Sequence, residues 1–251
     1  MANRLENKIA IITGGGGGIG SAAGKIFCEE GARVALVDQN PEAVAAAVAD
    51  IRARVPGADV RAYVADLSIE SEAGRVVAEI VAAFGGIDVL ANNAGIRRYE
   101  AVADAPWETW DAIVKVNLLS YVSMTRAALP YLRASGRGAI VNTSSAYGLY
   151  PRKGMGAYDA TKAAILSLTR TLACEEVEHG IRVNAVCPGF TVTPFHVQRL
   201  GAEVIAGMHP PCLMGRWGAA VEVAWPMLWL ASNEASYVTG TTIMIDGGLP
   251  I

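Results

Sequence analysis

The chain has 251 residues, 52% of them hydrophobic, and a formal net charge of −3, with a pI near 5.7. That length suits one large domain or two small ones, and the mild acidity excludes attraction to nucleic acid or an anionic membrane through bulk charge. The cysteines, Cys28, Cys174, Cys187 and Cys212, lack any Cys-x-x-Cys spacing. They read as small apolar residues of a reduced compartment, with no metal site among them. The first residues lack the apolar run of a signal peptide. The most apolar late stretch, 223–231, is too short to span a bilayer and contains Pro226. The expectation is a soluble, cytoplasmic protein.

Residues 8–13, Lys-Ile-Ala-Ile-Ile-Thr, predict a buried strand. Gly14 to Gly18, Ile19 and Gly20 follow, then a helical pattern through Ile26, Phe27 and Glu30 that Gly31 closes. Between a strand and a helix, glycines let a pyrophosphate approach the backbone N–H groups and the helix N-terminus. Two registers fit: Gly15-x-Gly17-x-x-Gly20, the general dinucleotide fingerprint, and Thr13-Gly14-x-x-x-Gly18-Ile19-Gly20. Residues 33–38 predict the next strand. It ends in Asp38, about 20 residues past the glycines, where a carboxylate accepts from a ribose diol and repels a 2′-phosphate. That favours NAD over NADP; the alternative is that Asp38 caps the helix beginning near Pro41.

A helix is expected over 41–54 and a strand over 60–64. Asp66 and Leu67 follow; Asp66 is placed either to contact an adenine amino group or to cap a helix over 69–84, which Gly85-Gly86 ends. A strand over 87–91 runs into Asn92-Asn93-Ala94-Gly95, small and amide residues that suit a turn against a cofactor. A long helical region covers 107–133, with Pro130 as a break near its end. Asn117 lies within it on an apolar stretch and must be satisfied if buried. It either bonds a neighbouring backbone or holds a water behind Lys162.

Strands are expected over 139–143, leading into Ser144-Ser145, and over 181–187, ending at Pro188-Gly189; between them lies a helix over 158–178. Residues 190–211 show little periodicity, and so long a connection suggests a substrate loop reaching to about 215. A helix over 221–232 with a kink at Pro226, a strand over 241–245 and a short apolar tail complete the chain. Alternating strands and helices with no linker or repeat predict one doubly wound α/β domain over 1–251, a Rossmann-like parallel sheet binding its ligand at the carboxyl ends of the strands.

Tyr158 and Lys162 are spaced i, i+4, which puts both on one helix face. A phenol is a poor base at neutral pH, and an ammonium one turn away favours its ionised form. Ser145 precedes the pair and is placed to donate a hydrogen bond to a substrate oxygen. Together they suit moving a proton on or off a carbinol or carbonyl oxygen.

These segments, with Pro188-Gly189-x-x-x-Thr193, resemble the classical short-chain dehydrogenase/reductase family over essentially the whole chain. The resemblance implies Tyr158 as acid/base, Ser145 orienting the substrate oxygen, and Lys162 assisting the tyrosine and bonding the nicotinamide ribose. It implies a relay water at Asn117, and carboxamide and phosphate contacts around Thr191 and Thr193. Cofactor contacts are also expected from Gly14, Gly18, Ile19, Gly20, Asp38, Asp66, Leu67, Asn93, Ala94, Gly95, Pro188 and Gly189. NADP-dependent members often carry a basic residue where this chain has Gly17 or Gln39, which supports NAD. A homotetramer is implied by the resemblance alone.

The expected activity is hydride transfer between NAD and a secondary alcohol or ketone. The alternatives are an NADPH-dependent 3-ketoacyl reductase and a catalytically silent NAD-binding regulatory protein on the same fold. The loops after Asn93, Ser145 and Pro188 carry Arg97 and Arg98, Arg152 and Lys153, and His196 and Arg199. They suggest an anionic or polar hydroxylated substrate, such as a sugar acid or hydroxy acid. The competing expectation is a neutral sugar or polyol, or a cyclic alcohol packed against Trp107, Tyr150 or Phe195.

Overall fold

The computed structural model describes residues 3–249. Its strands are β1 (Ile9–Thr13), β2 (Arg33–Asp38), β3 (Val60–Val64), β4 (Val89–Asn92), β5 (Ala139–Thr143), β6 (Arg182–Pro188) and β7 (Thr242–Ile245). Its helices are α1 (Gly18–Glu29), α2 (Pro41–Arg54), α3 (Glu70–Phe84), α4 (Trp107–Val114), α5 (Ser120–Ser135), α6 (Gly156–Glu176), α7 (Pro194–Leu200), α8 (Ala202–Gly207) and α9 (Ala220–Ala231). All strand pairs are parallel, in one sheet of order β3-β2-β1-β4-β5-β6-β7. The crossovers reverse direction at β1, which pairs with β2 on one side and β4 on the other, and a crevice opens there at the carboxyl ends.

The central strands are apolar on both faces because both are covered. Successive residues point to opposite sides. Ile12, Val34 and Leu36 meet Phe27 of α1, Val44 and Ile51 of α2, and Met227 and Leu228 of α9. Ile11, Leu90 and Ile140 meet Val76 and Ile80 of α3, Met124 and Ala128 of α5, and Leu172 of α6. Among the described residues no helix is long and apolar enough to cross a membrane.

The doubly wound fold and a single domain are as the sequence predicts; the details differ at two places. The long helix expected over 107–133 is interrupted not at Pro130 but at a π turn, Lys115–Leu119. Pro130 sits inside α5, which runs on to Ser135 and ends at Gly136 with φ 64. One missing backbone hydrogen bond does not end a helix whose Met124, Thr125, Ala128 and Leu132 are all buried. The segment 190–211 is not irregular but holds α7 and α8, too short for a periodicity to show. The apolar tail expected after 248 lies mostly outside the described residues, as do positions 1 and 2 of the N-terminal reading.

Candidate active site

A cavity of about 500 Å³ follows the carboxyl ends of the strands. Gly14, Gly18 and Ile19 line one end, Asp38, Asp66 and Leu67 one wall, and Ala94 and Gly95 the middle. Tyr158, Lys162, Pro188, Gly189, Thr191 and Thr193 surround the far end, with Arg97, Arg98 and His196. Of the residues expected at the site, Gly20, Asn117, Ser145, Arg152 and Arg199 stand behind or beside this lining rather than on it.

The glycine end has the form of a phosphate cradle. Gly17 begins α1 with no side-chain cap, so the first-turn N–H groups are left to a ligand. Gly14 has φ +65, and a Cβ at Gly20 would run into its carbonyl oxygen. A Cβ at Gly18 would meet Pro194 at 2.9 Å and Thr193 at 3.1 Å, so α1 and α7 close on each other there.

Asp38 does not cap α2. That cap is Asn40, whose side chain accepts from the N–H groups of Glu42 and Ala43. The Asp38 carboxylate accepts from Gly16 N–H and Asn40 N–H, each at 3.0 Å, and lines the cavity. Gly17 and Gln39 beside it bring no cation. Asp66 is likewise no helix cap: it accepts from Ser68 N–H, and the N-cap of α3 is Ile69, without side-chain capping.

Asn93 braces the cradle. Its amide donates to Thr13 O at 3.0 Å, while Thr13 Oγ1 accepts from Asn93 N–H at 2.9 Å and Ala94 N–H at 3.0 Å. One hydroxyl thus ties the turn after β1 to the turn after β4. Asn117, fully buried in the π turn, bonds a neighbouring backbone: its Oδ1 accepts from Ile96 N–H at 2.8 Å and its Nδ2 donates to Ile96 O at 2.9 Å. Single π turns are frequent at functional sites because they re-aim one residue of a helix, and this one directs Asn117 at the segment carrying Arg97.

Tyr158 and Lys162 share one face of α6, with the Lys162 Nζ 5.7 Å from the Tyr158 ring centroid. The Nζ donates to Thr143 O at 2.8 Å. Burial pushes the ammonium down to about 7, and Arg97 adds to the shift. Ser144 donates to Lys162 O, locking the end of β5 to α6. Ser145 Oγ accepts from Tyr147 N–H at 3.1 Å, which leaves its own hydrogen free to donate.

The loops bring Arg97, Arg152, Arg199 and His196 together. Arg98 stays exposed at the cavity edge and Lys153 is exposed. Arg97 Nη1 lies 3.1 Å from His196 Nε2 and its Nη2 3.5 Å from the Tyr158 hydroxyl. Burial first, then Arg97, Arg199 and Arg152, push the imidazole down to about 4. A neutral ring that accepts from Arg97 at Nε2 carries its proton on Nδ1, which is 2.9 Å from Thr193 Oγ1 and donates to it.

Aromatic rings pack around the arginines and His196 behind the cavity lining, and the sequence signals few of them. Arg152 donates to the Tyr147 hydroxyl at 3.1 Å and lies over the rings of Tyr147, Tyr99 and Phe190. Arg199 lies 3.7 Å from the Tyr99 centroid, and Trp217 packs on Phe190 and His196. Tyr147 and Phe190 had one signal, their closeness to Ser145 and Gly189 in sequence; Tyr99 and Trp217 had none. Of the apolar walls expected for a cyclic alcohol, only Phe195 lines the cavity. Trp107 is 82% exposed at the start of α4.

A parallel sheet with a glycine cradle at its switch point, and a Tyr–Lys pair one turn apart behind it, defines the oxidoreductases that bind a nicotinamide dinucleotide. The chain belongs to the short-chain dehydrogenase/reductase family. Residues 15–250 match the family model described as enoyl-(acyl carrier protein) reductase. The chain is 39% identical to the 2,5-dichloro-2,5-cyclohexadiene-1,4-diol dehydrogenase LinX of Sphingobium indicum, covering 99% of this chain and 98% of that one. It is 40% identical to the 3-oxoacyl-[acyl-carrier-protein] reductase FabG of Thermotoga maritima, covering 99% and 100%. The crystal structure of levodione reductase superposes with a TM-score of 0.91 at 32% identity, covering 96% of this chain and 97% of that one.

Proposed function

We propose that the chain is an NAD-dependent oxidoreductase that interconverts a polar or anionic secondary alcohol and its ketone. The observation that carries the NAD assignment is Asp38. Its carboxylate is held on the cavity wall by Gly16 N–H and Asn40 N–H and is not consumed by helix capping. There it accepts from a ribose diol and repels a 2′-phosphate. The uncapped start of α1 receives the pyrophosphate, while Lys162, Thr191 and Thr193 hold the nicotinamide half. A nicotinamide held there would supply two-electron hydride exchange with the carbinol carbon.

This chain's own residues handle the oxygen. The Ser145 hydroxyl donates to the substrate oxygen and fixes its position. Tyr158 takes the hydroxyl proton as the C=O bond forms, and returns it in reduction. Lys162 sits behind the ring and orders the ribose. Asn117 holds the Ile96 backbone in place, and a water on its π turn would carry the proton onward. The α7–α8 stretch covers the substrate. We further read the protein as cytoplasmic, on its scattered free cysteines, and as a homotetramer, on the family resemblance.

A second reading, an NADPH-dependent 3-ketoacyl reductase, draws on the likeness to FabG. Asp38, Gly17 and Gln39 oppose it, since nothing cationic lines the place a 2′-phosphate would take. A silent NAD-binding protein would not need Ser145, Tyr158 and Lys162 together. Incubation with NAD or NADP and a panel of secondary alcohols, followed by absorbance of the reduced cofactor, separates the three. Oxidation with NAD alone is expected; preference for NADP, or no oxidation at all, removes the reading.

A further inference from the structure

We propose that Arg97, backed by Arg152 and Arg199, forms a carboxylate site beside Tyr158, so that the substrate is a short hydroxy acid with its carboxylate carbon one or two bonds from the carbinol carbon. The proposal rests on the reading of Tyr158 and NAD above and narrows its substrate.

Charge is the first argument. Many arginines elsewhere pair with carboxylates, as in Arg133–Glu176, Arg137–Asp88 and Arg216–Glu222, and others, such as Arg52 and Arg182, are held by backbone carbonyls. Arg97, Arg152 and Arg199 form no salt bridge with any described carboxylate. All three are nonetheless close enough to His196 to act on its charge. What they touch is neutral: an imidazole, phenols and ring faces. Aromatic faces soften the repulsion between like charges without cancelling it, and an anion arriving between them removes it.

The nearby acids do not fill this place. Asp159 accepts from the backbone N–H of Arg152 rather than from its guanidinium, and burial pushes its carboxyl up to about 6. Glu100, joined through its backbone to Gly154, has a buried Oε2 with no partner among the described residues. The indole Nε1–H of Trp217, packed against His196, is also buried and without an acceptor. The guanidiniums of Arg97, Arg152 and Arg199 thus lack a carboxylate partner among the described residues, while Glu100 Oε2 and Asp159 Oδ1 are buried apart from them without a donor.

Distance is the second argument. Arg97 Nη2 is 3.5 Å from the Tyr158 hydroxyl. A carboxylate oxygen at about 2.9 Å from the guanidinium and a carbinol oxygen at about 2.7 Å from the phenol can then sit side by side a few ångströms apart. A long spacer between acid and alcohol does not fit. The planar guanidinium fork matches a planar carboxylate; sulfonate and phosphate share the charge and are separated by the test.

The test compares 2-, 3- and 4-hydroxypentanoate with pentan-2-ol as substrates, for wild type, Arg97→Met, Arg97→Lys and the distant control Arg126→Gln. Expected are preference for the 2- or 3-hydroxy acid, and a KM for it that rises with added salt while that of pentan-2-ol does not. Arg97→Met should raise the hydroxy-acid KM about ten-fold or more, the loss of a charged hydrogen bond. Arg97→Lys should recover part of this and Arg126→Gln should change nothing. If Arg97→Met does not fold, the salt dependence of wild type decides.

Pentan-2-ol oxidised as well as the acids, or a best rate with the 4-hydroxy acid, overturns the proposal and leaves the NAD reading intact. Stronger inhibition by inorganic phosphate or methanesulfonate than by pentanoate overturns the carboxylate assignment. A binding arm is independent of turnover: calorimetry of 2-oxopentanoate and pentan-2-one on Tyr158→Phe with NADH present. If no alcohol is oxidised with NAD but the oxo acid binds, and adding Arg97→Met abolishes that binding, the NAD reading falls and the anion site stands. Equal binding of acid and ketone refutes the site.

Discussion

Arg97 and Tyr158 face each other with Nη2 and the phenol oxygen 3.5 Å apart. The group proposed to grip the substrate and the group proposed to exchange its proton are thus neighbours on different elements, one on the loop after β4 and one on α6. Substitutions at the two positions should separate cleanly in kinetics.

Tyr158→Phe removes one hydroxyl and leaves the ring against Lys162. It should fold and bind NAD as the parent does, and lose turnover by about 10²–10⁴-fold, the usual contribution of a general acid/base. Turnover within a factor of two of the parent would take Tyr158 out of the mechanism.

Asp38→Ala should raise the KM for NAD and narrow the gap to NADP, by losing a ribose acceptor and a repulsive charge. Gly16 and Asn40 donate to different carboxylate oxygens of Asp38, so Asp38→Asn keeps one of the two acceptors and should relax NADP rejection with less disturbance of the glycine turn than Asp38→Ala. A parent protein that already uses both cofactors equally contradicts the assignment.

Two groups beside the site make opposite contributions to stability between about pH 4 and 6.5. His196, pushed from 6.5 to about 4, binds fewer protons folded than unfolded, so its contribution rises with pH through that window. Asp159, pushed from 3.8 to about 6, binds more protons folded, so its contribution falls as pH rises between those values. Urea midpoints measured from pH 4 to 7 should therefore rise less steeply in His196→Gln than in the parent, and more steeply in Asp159→Asn. Matching slopes in all three proteins would refute both assignments.

Asn117→Ala deletes both hydrogen bonds to Ile96 at a fully buried position. Leaving those backbone groups unpaired should cost about 2–3 kcal/mol in urea unfolding. Because the segment it anchors carries Arg97, the KM for the organic substrate should rise as well. A variant of unchanged stability would mean that Ile96 finds other partners.

The sheet was legible because most strands are short apolar runs ending in a glycine, amide, serine or acidic turn. The π turn was not, since a one-residue change in hydrogen-bond register leaves no trace in apolar spacing. The capping alternative for Asp38 was separable only by atoms: Asn40 supplies the cap. Arg97, Arg152, Arg199 and His196 were readable as basic residues at loop ends. Their aromatic setting was not, because Tyr99, Tyr147, Phe190 and Trp217 come from four separate segments. Trp107, a plausible wall by sequence, begins a helix that points it at solvent.

The Thr13 hydroxyl has a kinetic consequence. By accepting from Asn93 and Ala94 at once, it makes the β1 and β4 turns a single rigid lip, so a dinucleotide does not enter by parting them. The opposite lip is where Gly18 meets Thr193 and Pro194, and α7, which begins there, also carries His196 and Arg199. A displacement of α7 that admits a dinucleotide would carry His196 and Arg199 with it while Arg97 and Arg152 stay in place. On the proposed reading the acid's pocket would be complete only with α7 closed, so the expected order of binding is dinucleotide on first and off last.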